Sequence, residues 1–219
     1  GKYFLDLAFG MVGKMRGGPA KAAILGSGMT GLISGSSIAN TVTTGTFTIP
    51  IMKKTGFSKE KAGAIEVSSS VNGQLMPPVM GAAAFVMASF LGVTYFEVVK
   101  HAFLPAIISY VALFYISHLE ALKLNLKGMN ELDIPNLKKT FLSGLHFLIP
   151  IFILVYMLVY LRFTASYSIF FATIALIIVN LGYIFFKTYN FKVAIKTWFN
   201  QTIVGFEKGA LNMVGVGIA

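Results

Sequence analysis

The chain has 219 residues, of which 56% are hydrophobic and 12% charged, and its mean hydropathy is +0.75. This composition lies outside the range of soluble domains and predicts an integral membrane protein embedded in a lipid bilayer. The lack of cysteine excludes disulfides, thiolate metal sites and cysteine nucleophiles. The net charge of +10 is explained by membrane topology, so we expect no nucleic-acid partner.

The basic residues are grouped along the chain. Fifteen of the 18 Lys and Arg residues fall within 14–21, 53–61, 123–139 and 187–208. Cytoplasmic loops of membrane proteins carry an excess of Lys and Arg, so we expect these four groups on the cytoplasmic side. The sequence starts without Met and stops inside an apolar run, and we expect a fragment of a longer protein.

Residues 1–19 predict an amphipathic helix at the membrane interface. We assign its apolar face to Tyr3, Phe4, Leu7, Met11 and Met15. Gly17, Gly18 and Pro19 then end the helix.

Residues 20–53 predict a re-entrant hairpin of two half-length helices, about 20–33 and 38–52. Between them, residues 34–37 (SGSS) combine a permissive backbone with local hydroxyl hydrogen bonding, and Ser36 or Ser37 is positioned to cap the second helix. Irregular backbone at membrane depth survives only against protein or a water-filled cavity, which favours a binding site. The alternative is a helix whose small residues pack tightly against neighbours.

Residues 58–92 predict a broken transmembrane helix. A helix over 58–71 meets a break at 72–78, and a second helix follows over 79–91. The tandem Pro77 and Pro78 remove two backbone donors, which leaves free carbonyls beside the Asn72 and Gln74 side chains. A structural proline kink is the alternative, but two discontinuous helices typically meet around one midplane site. Glu66 is either a functional intramembrane carboxylate or an interfacial residue.

The remaining residues predict three ordinary spans and a second arm. The spans cover 103–122, 141–161 and 166–186, and the last two form the segment 140–187. The length of each span is close to the roughly 20 residues that a bilayer requires. Residues 123–139 predict a cytoplasmic linker. Residues 189–219 predict a second amphipathic arm and the start of a second hairpin region, because 204–210 weakly echoes 12–18.

Three stretches resemble the large membrane subunit (permease) of TRAP transporters, most closely the fused permeases of the TAXI type. They are 16–21 (RGGPAK), 34–50 (SGSSIANTVTTGTFTIP) and 73–85 (GQLMPPVMGAAAF). The resemblance implies an all-α, inverted-repeat ion-transporter-like fold with re-entrant, discontinuous and ordinary membrane helices. It also implies that this chain lacks the first helices and the second hairpin of the permease, and does not transport alone.

The resemblance further implies function. A TRAP permease is a multi-pass protein of the prokaryotic plasma (inner) membrane and not an enzyme. Driven by a sodium gradient, it imports an organic carboxylate from an extracytoplasmic solute-binding protein through an elevator-like motion, with a small membrane subunit or its fused equivalent. Sodium is the coupling ion, and no other cofactor is expected.

The sites expected in this chain are two. The residues expected at a sodium ion, largely through carbonyls, are Ser34, Gly35, Ser36, Ser37, Gly73, Met76 and Pro77. The residues expected near the substrate are Ser37, Asn40, Thr41, Asn72 and Gln74.

Two other classes compete with ion-coupled transport. A channel or uncoupled carrier requires a continuous polar path, whereas this chain supplies one polar cluster. An intramembrane serine protease requires a Ser-His pair within the bilayer, but His101, His118 and His146 lie near the ends of the predicted spans.

Overall fold

The computed structural model describes residues 2–188 and 191–218. The chain forms two compact units that divide between Leu142 and Ser143. The regular elements of the described residues are helices only, which confirms the all-α prediction.

The first unit contains the hairpin and the broken segment. Its helices are α1 (Lys2–Val12), α2 (Gly18–Ser34), α3 (Ser37–Lys54), α4 (Lys59–Gly73), α5 (Ala82–Leu91) and α6 (Tyr95–Lys123). A short 3₁₀ turn (Glu131–Asp133) follows, and α7 (Leu137–Ser143) ends at the boundary of the units. The break after α4 covers residues 74–81 and therefore lies slightly later in the chain than the predicted 72–78.

Helix α1 packs against α2 through a face that differs from the predicted apolar face. Its buried side chains are Leu5, Ala8, Phe9 and Val12. Met11, which we assigned to the apolar face, is 52% exposed. Both sides of this helix carry apolar residues, and the position of α2 decides which side is buried, so the membrane contact of the predicted face stays a prediction.

Small residues bring α2 close to both α1 and α4. A Cβ atom on Gly26 would lie 2.6 Å from Leu5 Cδ2, and one on Gly31 would lie 2.6 Å from Gly73 Cα. Glycine at such positions allows helix backbones to approach closely, as in membrane helix packing. The hairpin is thereby held directly against the C-terminal end of α4.

Helix α6 begins at Tyr95, eight residues before the predicted span. Thr94 and Glu97 form a capping box, in which each side chain accepts a hydrogen bond from the backbone of the other residue. The linker that follows α6 packs on the turn after α1, where Met129 N–H donates to the Gly13 carbonyl at 2.9 Å. Lys14 and Glu131 form an exposed ion pair beside it, 2.6 Å apart.

The second unit contains three longer helical segments. After a 3₁₀ turn (Leu145–Phe147), α8 (Leu148–Val155) continues into a π-helical turn (Tyr156–Tyr160), and α9 (Ala165–Thr188) and α10 (Phe191–Ile218) follow. The predicted regular span over 141–161 is wrong, since it is interrupted around Gly144 and at the π-helical turn. Glycine weakens helices, which accounts for the first interruption.

The described residues include two helices long and apolar enough to cross a membrane, Tyr95–Lys123 and Ser166–Thr188. A third is counted if the segments 131–143 and 145–160 form one span. Residues 12–18 include the turn before α2, whereas 204–210 lie inside the uninterrupted α10. The weak echo between these stretches therefore does not mark equivalent structures. Tyr189, Asn190 and Ala219, at the edges of the predicted second arm, lie outside the described residues.

Candidate functional site

The hairpin turns within two residues, Gly35 and Ser36. Gly35 ends α2 in the left-handed conformation, with φ 56°, and its N–H donates to the Gly31 carbonyl at 3.3 Å. Ser36 begins α3, and its hydroxyl accepts a hydrogen bond from Ala39 N–H at 3.3 Å. The predicted serine cap is confirmed, and we call residues 34–37 the hairpin tip.

The hairpin tip contacts the break segment, defined as residues 74–81. A Cβ atom on Gly35 would lie 2.1 Å from the Met80 carbonyl oxygen, and one on Gly81 would lie 3.1 Å from the Gly35 carbonyl oxygen. Gln74 Nε2 donates to Ser37 Oγ at 2.9 Å. The two irregular segments of the first unit therefore meet through backbone carbonyls and one side-chain hydrogen bond.

The break segment is fixed from both sides. Gly81 N–H donates to the Gln74 carbonyl at 2.9 Å, which closes the segment into a loop. The Tyr95 hydroxyl donates toward the Pro78 carbonyl at 3.1 Å and also contacts the Val79 carbonyl. Tyr95 was not among the predicted site residues, because nothing in its local sequence pattern indicates a contact with a loop 16 residues earlier.

The remaining predicted sodium residues differ in how far they are buried. Ser34 is exposed, Met76 and Pro77 are half-buried, and Gly73 is buried against α2. The Gly73 carbonyl accepts a hydrogen bond from Met76 N–H at 3.3 Å. Met76 also lines an apolar cavity of about 330 Å³ that includes Tyr110.

The oxygens at this contact are chemically suited to a hard cation. Carbonyl and hydroxyl oxygens are the ligands that such ions prefer. They come here from Gly35 and Met80, with the serine hydroxyls of the tip beside them. Within residues 2–188 and 191–218, no group of three or more His, Cys, Asp or Glu side chains is arranged to hold a metal ion.

The predicted substrate residues have different surroundings. Asn40 is buried inside the hairpin, where its amide donates to the Ser27 carbonyl at 3.1 Å and its oxygen accepts from Thr30 at 2.5 Å. The Asn72 side-chain oxygen accepts from Ser109 of α6 at 3.0 Å. Both asparagines therefore have structural partners, and their contact with substrate stays a prediction.

Ser37 and Gln74 bond to each other at the tip, as described above. Thr41 is half-buried one turn into α3. These three residues lie nearest in the chain to the start of α3 or to the break segment, and their contact with substrate also stays a prediction.

Glu66 is fully buried between α3 and α4, a placement that the sequence left open. Its carboxyl contacts the hydroxyls of Thr44, Thr48 and Ser70. Asn40, Thr44 and Thr48 are spaced four residues apart and so share one face of α3. That spacing is the sequence signal from which this polar contact could have been found.

Comparison with known proteins identifies the family. The profile described as "Tripartite ATP-independent periplasmic transporter, DctM component" matches residues 1–213. "C4-dicarboxylate TRAP transporter large permease protein DctM" of Vibrio cholerae is 39% identical over 77 residues, which cover 35% of this chain and 17% of that protein. The protein of the same name from Rhodobacter capsulatus is 30% identical over 88 residues, covering 40% and 20%.

A longer match is found in Salmonella typhimurium. "Uncharacterized protein YgiK" is 28% identical over 151 residues, which cover 69% of this chain and 34% of that protein. The chain thus spans about a third or less of the length of these curated relatives. The finer likeness to TAXI-type permeases stays a prediction. The match over nearly the whole chain shows that it belongs to the DctM family of TRAP transporters, whose members are membrane permease components and not enzymes.

Proposed function

We propose that this chain is part of the permease of a sodium-driven TRAP importer in the inner membrane of a prokaryote. The hairpin tip and the break segment hold one coupling sodium ion. The solute is an organic carboxylate that an extracytoplasmic solute-binding protein delivers, and a small membrane subunit or its fused equivalent completes the assembly. Family membership supports the transporter class, and two relatives carry "C4-dicarboxylate" in their names.

The contact between the tip and the break segment is the observation that carries the sodium proposal. Both segments leave regular helix, and their backbones lie close together: a Cβ atom on Gly35 would lie 2.1 Å from the Met80 carbonyl oxygen, and one on Gly81 would lie 3.1 Å from the Gly35 carbonyl oxygen. Irregular backbone inside a membrane protein is stable where it coordinates an ion or lines a cavity. A sodium ion bound there bridges the two segments and stabilises the contact between the hairpin tip and the break segment.

The start of α3 is the part of the site suited to a carboxylate. The first backbone N–H groups of a helix attract negative charge. Ser37 lies at that end, bonded to Gln74, and Thr41 follows one turn later on the same face. In this proposal, Asn40 and Asn72 shape the site from behind through the hydrogen bonds described above.

Serine variants of the tip test the sodium site in the full-length permease. Ser36→Ala and Ser37→Ala each remove a hydroxyl oxygen, and a hydrogen-bonding group worth about 1 kcal/mol corresponds to roughly a fivefold change in an equilibrium constant. We expect the sodium concentration for half-maximal uptake to rise by about that factor. The measurement is solute uptake into proteoliposomes over a sodium titration.

The matched control is Ser58→Ala. Ser58 caps α4 with the same 3.3 Å geometry by which Ser36 caps α3, but it lies outside the tip. Its loss weakens a helix start without removing an oxygen from the proposed site, so sodium dependence should remain as in the wild type. Unchanged sodium dependence in the tip variants would contradict the site. Sodium-independent flux in the wild type would favour a channel or an uncoupled carrier.

A further inference from the structure

The Glu66 carboxyl is the one acidic group among the described residues that is fully shielded from solvent, at 0% exposure. It lies where α3 crosses α4, and Gly45 provides the space: a Cβ atom there would lie 3.1 Å from Glu66 Cγ. The ion pairs of Lys14 with Glu131 and of Lys61 with Glu120 do not include it.

The oxygen–oxygen contacts around this carboxyl outnumber the hydroxyl protons that are available to form hydrogen bonds. Thr44 Oγ1 lies 2.7 Å from the Asn40 carbonyl oxygen and also contacts Glu66 Oε1. Thr48 Oγ1 lies 3.1 Å from the Thr44 carbonyl oxygen and 2.5 Å from Glu66 Oε2. Each threonine hydroxyl has one proton, so it cannot donate to both of its acceptors.

Ser70 does not remove this shortage. Its hydroxyl donates one further hydrogen bond to Glu66 Oε1, at 3.4 Å. Thr44 and Thr48 still have one proton each for two oxygen acceptors. With an ionised carboxylate, at least two of these contacts would join oxygens that have no proton between them. A proton on Glu66 lets the carboxyl donate to one threonine, which then donates to its own backbone carbonyl.

The charged and titratable side chains of the neighbouring helices that are buried or ion-paired have partners other than Glu66. Lys21 of α2 donates to the Arg16 carbonyl at 2.8 Å and lies 2.9 Å from His118 of α6. Tyr110 of α6 donates to the Ser69 carbonyl at 3.3 Å. Lys61 pairs with Glu120, and Lys53 and Lys54 are exposed at the end of α3. A buried carboxyl without a cationic partner is much more stable when protonated than when ionised.

We propose that Glu66 is a proton-binding site, and that α3 and α4 pack as observed only while its carboxyl carries the proton. Loss of the proton leaves a carboxylate between the helices, and the proton passes to water when the contact opens. Since α3 begins at the hairpin tip, the proton state of Glu66 controls how firmly the hairpin is held. This inference does not rest on the proposed sodium coupling.

Infrared spectroscopy of the full-length permease in lipid tests the protonation directly. We expect a C=O stretching band of a protonated carboxylic acid at neutral pH, and we expect Glu66→Gln to remove it. Glu97→Gln is the control, because Glu97 is exposed in the capping box of α6 and should leave the band unchanged. A spectrum that is the same in Glu66→Gln and the wild type would overturn the proposal.

The pH dependence of unfolding tests the link to packing. The unfolded chain releases the Glu66 proton at lower pH than the folded chain, so the folded state is favoured less as pH rises. We expect the wild-type thermal midpoint to fall as pH rises above the ordinary range of a glutamate, and to level off at the pH where the infrared band of the folded protein disappears. Glu66→Gln keeps a neutral, hydrogen-bonding side chain and should lose this dependence. A variant that keeps the wild-type pH dependence would contradict the link, whatever its transport activity.

Discussion

The two units of the chain bury different kinds of side chain. Polar residues inside the first unit are Lys21, Ser27, Thr30, Asn40, Thr44, Thr48, Glu66, Ser69, Ser70 and Ser117. Within residues 143–164, 166–188 and 191–211 of the second unit, Ser168 is the only buried polar side chain. Buried polar groups stabilise one arrangement of their neighbours only when each has its partner. The first unit is therefore the part whose helix positions are fixed by specific hydrogen bonds.

The second unit is held together differently. Trp198 Nε1 donates to the Ile177 carbonyl at 2.8 Å, and Asn180 donates to Gln201 at a partly exposed position. Its other buried side chains are apolar, such as Leu154, Met157 and Ile184, as expected of helices that pack in lipid. Substitutions of polar residues in the second unit should therefore lower the free energy of unfolding less than substitutions of the buried polar residues in the first.

The largest expected effect is that of Gly35→Ala. The new Cβ atom would lie 2.1 Å from the Met80 carbonyl oxygen, so the hairpin tip and the break segment must separate. Gly92→Ala is the matched control, because Gly92 also ends a helix in the left-handed conformation, with φ 64°, but has nothing within 4 Å of the added atom. We expect Gly35→Ala to abolish uptake in proteoliposomes.

The control separates backbone strain from the contact. Both alanines carry the left-handed penalty, about 1–2 kcal/mol. Gly92→Ala should therefore lower the unfolding midpoint but retain most of the uptake rate. Equal losses of uptake in the two variants would show that strain alone is responsible and that the contact of the tip with the break segment is not required.

A smaller effect is expected for Asn40→Ala. This variant leaves the Ser27 carbonyl and the Thr30 hydroxyl without the amide that they contact inside the hairpin. Removing the partner of a buried polar group costs about 1–3 kcal/mol. The free energy of unfolding in detergent should fall by that amount, whereas Asn180→Ala in the second unit should change it by less than about 0.5 kcal/mol. Similar losses in both variants would remove the distinction between the units.

The smallest effect is expected for Glu131→Gln. The Lys14–Glu131 ion pair has side chains that are 68% and 76% exposed, and exposed pairs contribute little because water and salt screen them. The thermal midpoint should not change measurably at physiological ionic strength. A clear decrease, enlarged at low salt, would mean that this pair holds the linker against the turn after α1.

Several elements of the fold could be predicted because their signals are local. The SGSS stretch marks the hairpin tip, and the tandem proline marks the broken helix. The start of α6 was missed although Thr94 and Glu97 have the capping-box spacing, because hydropathy placed the boundary at 103. The π-helical turn at 156–160 lies in a continuous apolar run and leaves no comparable signal.

The site was harder to predict than the fold because its contacts join distant segments. That Gln74 reaches Ser37, and that Tyr95 reaches the break segment, depends on how α4 and α6 pack against the hairpin. The buried face of α1 is likewise set by α2. Glu66 is intermediate, since the spacing of Thr44 and Thr48 predicts a polar face on α3 but not its partner on α4.

Sodium-coupled uptake tests the central claim most directly. The full-length permease is reconstituted in proteoliposomes and its solute-binding protein is added. Uptake of a carboxylate solute is then measured with and without an inward sodium gradient. Uptake that requires both the gradient and the binding protein is the result expected if the hairpin tip and the break segment hold a coupling ion. Uptake at the same rate without sodium would contradict the account.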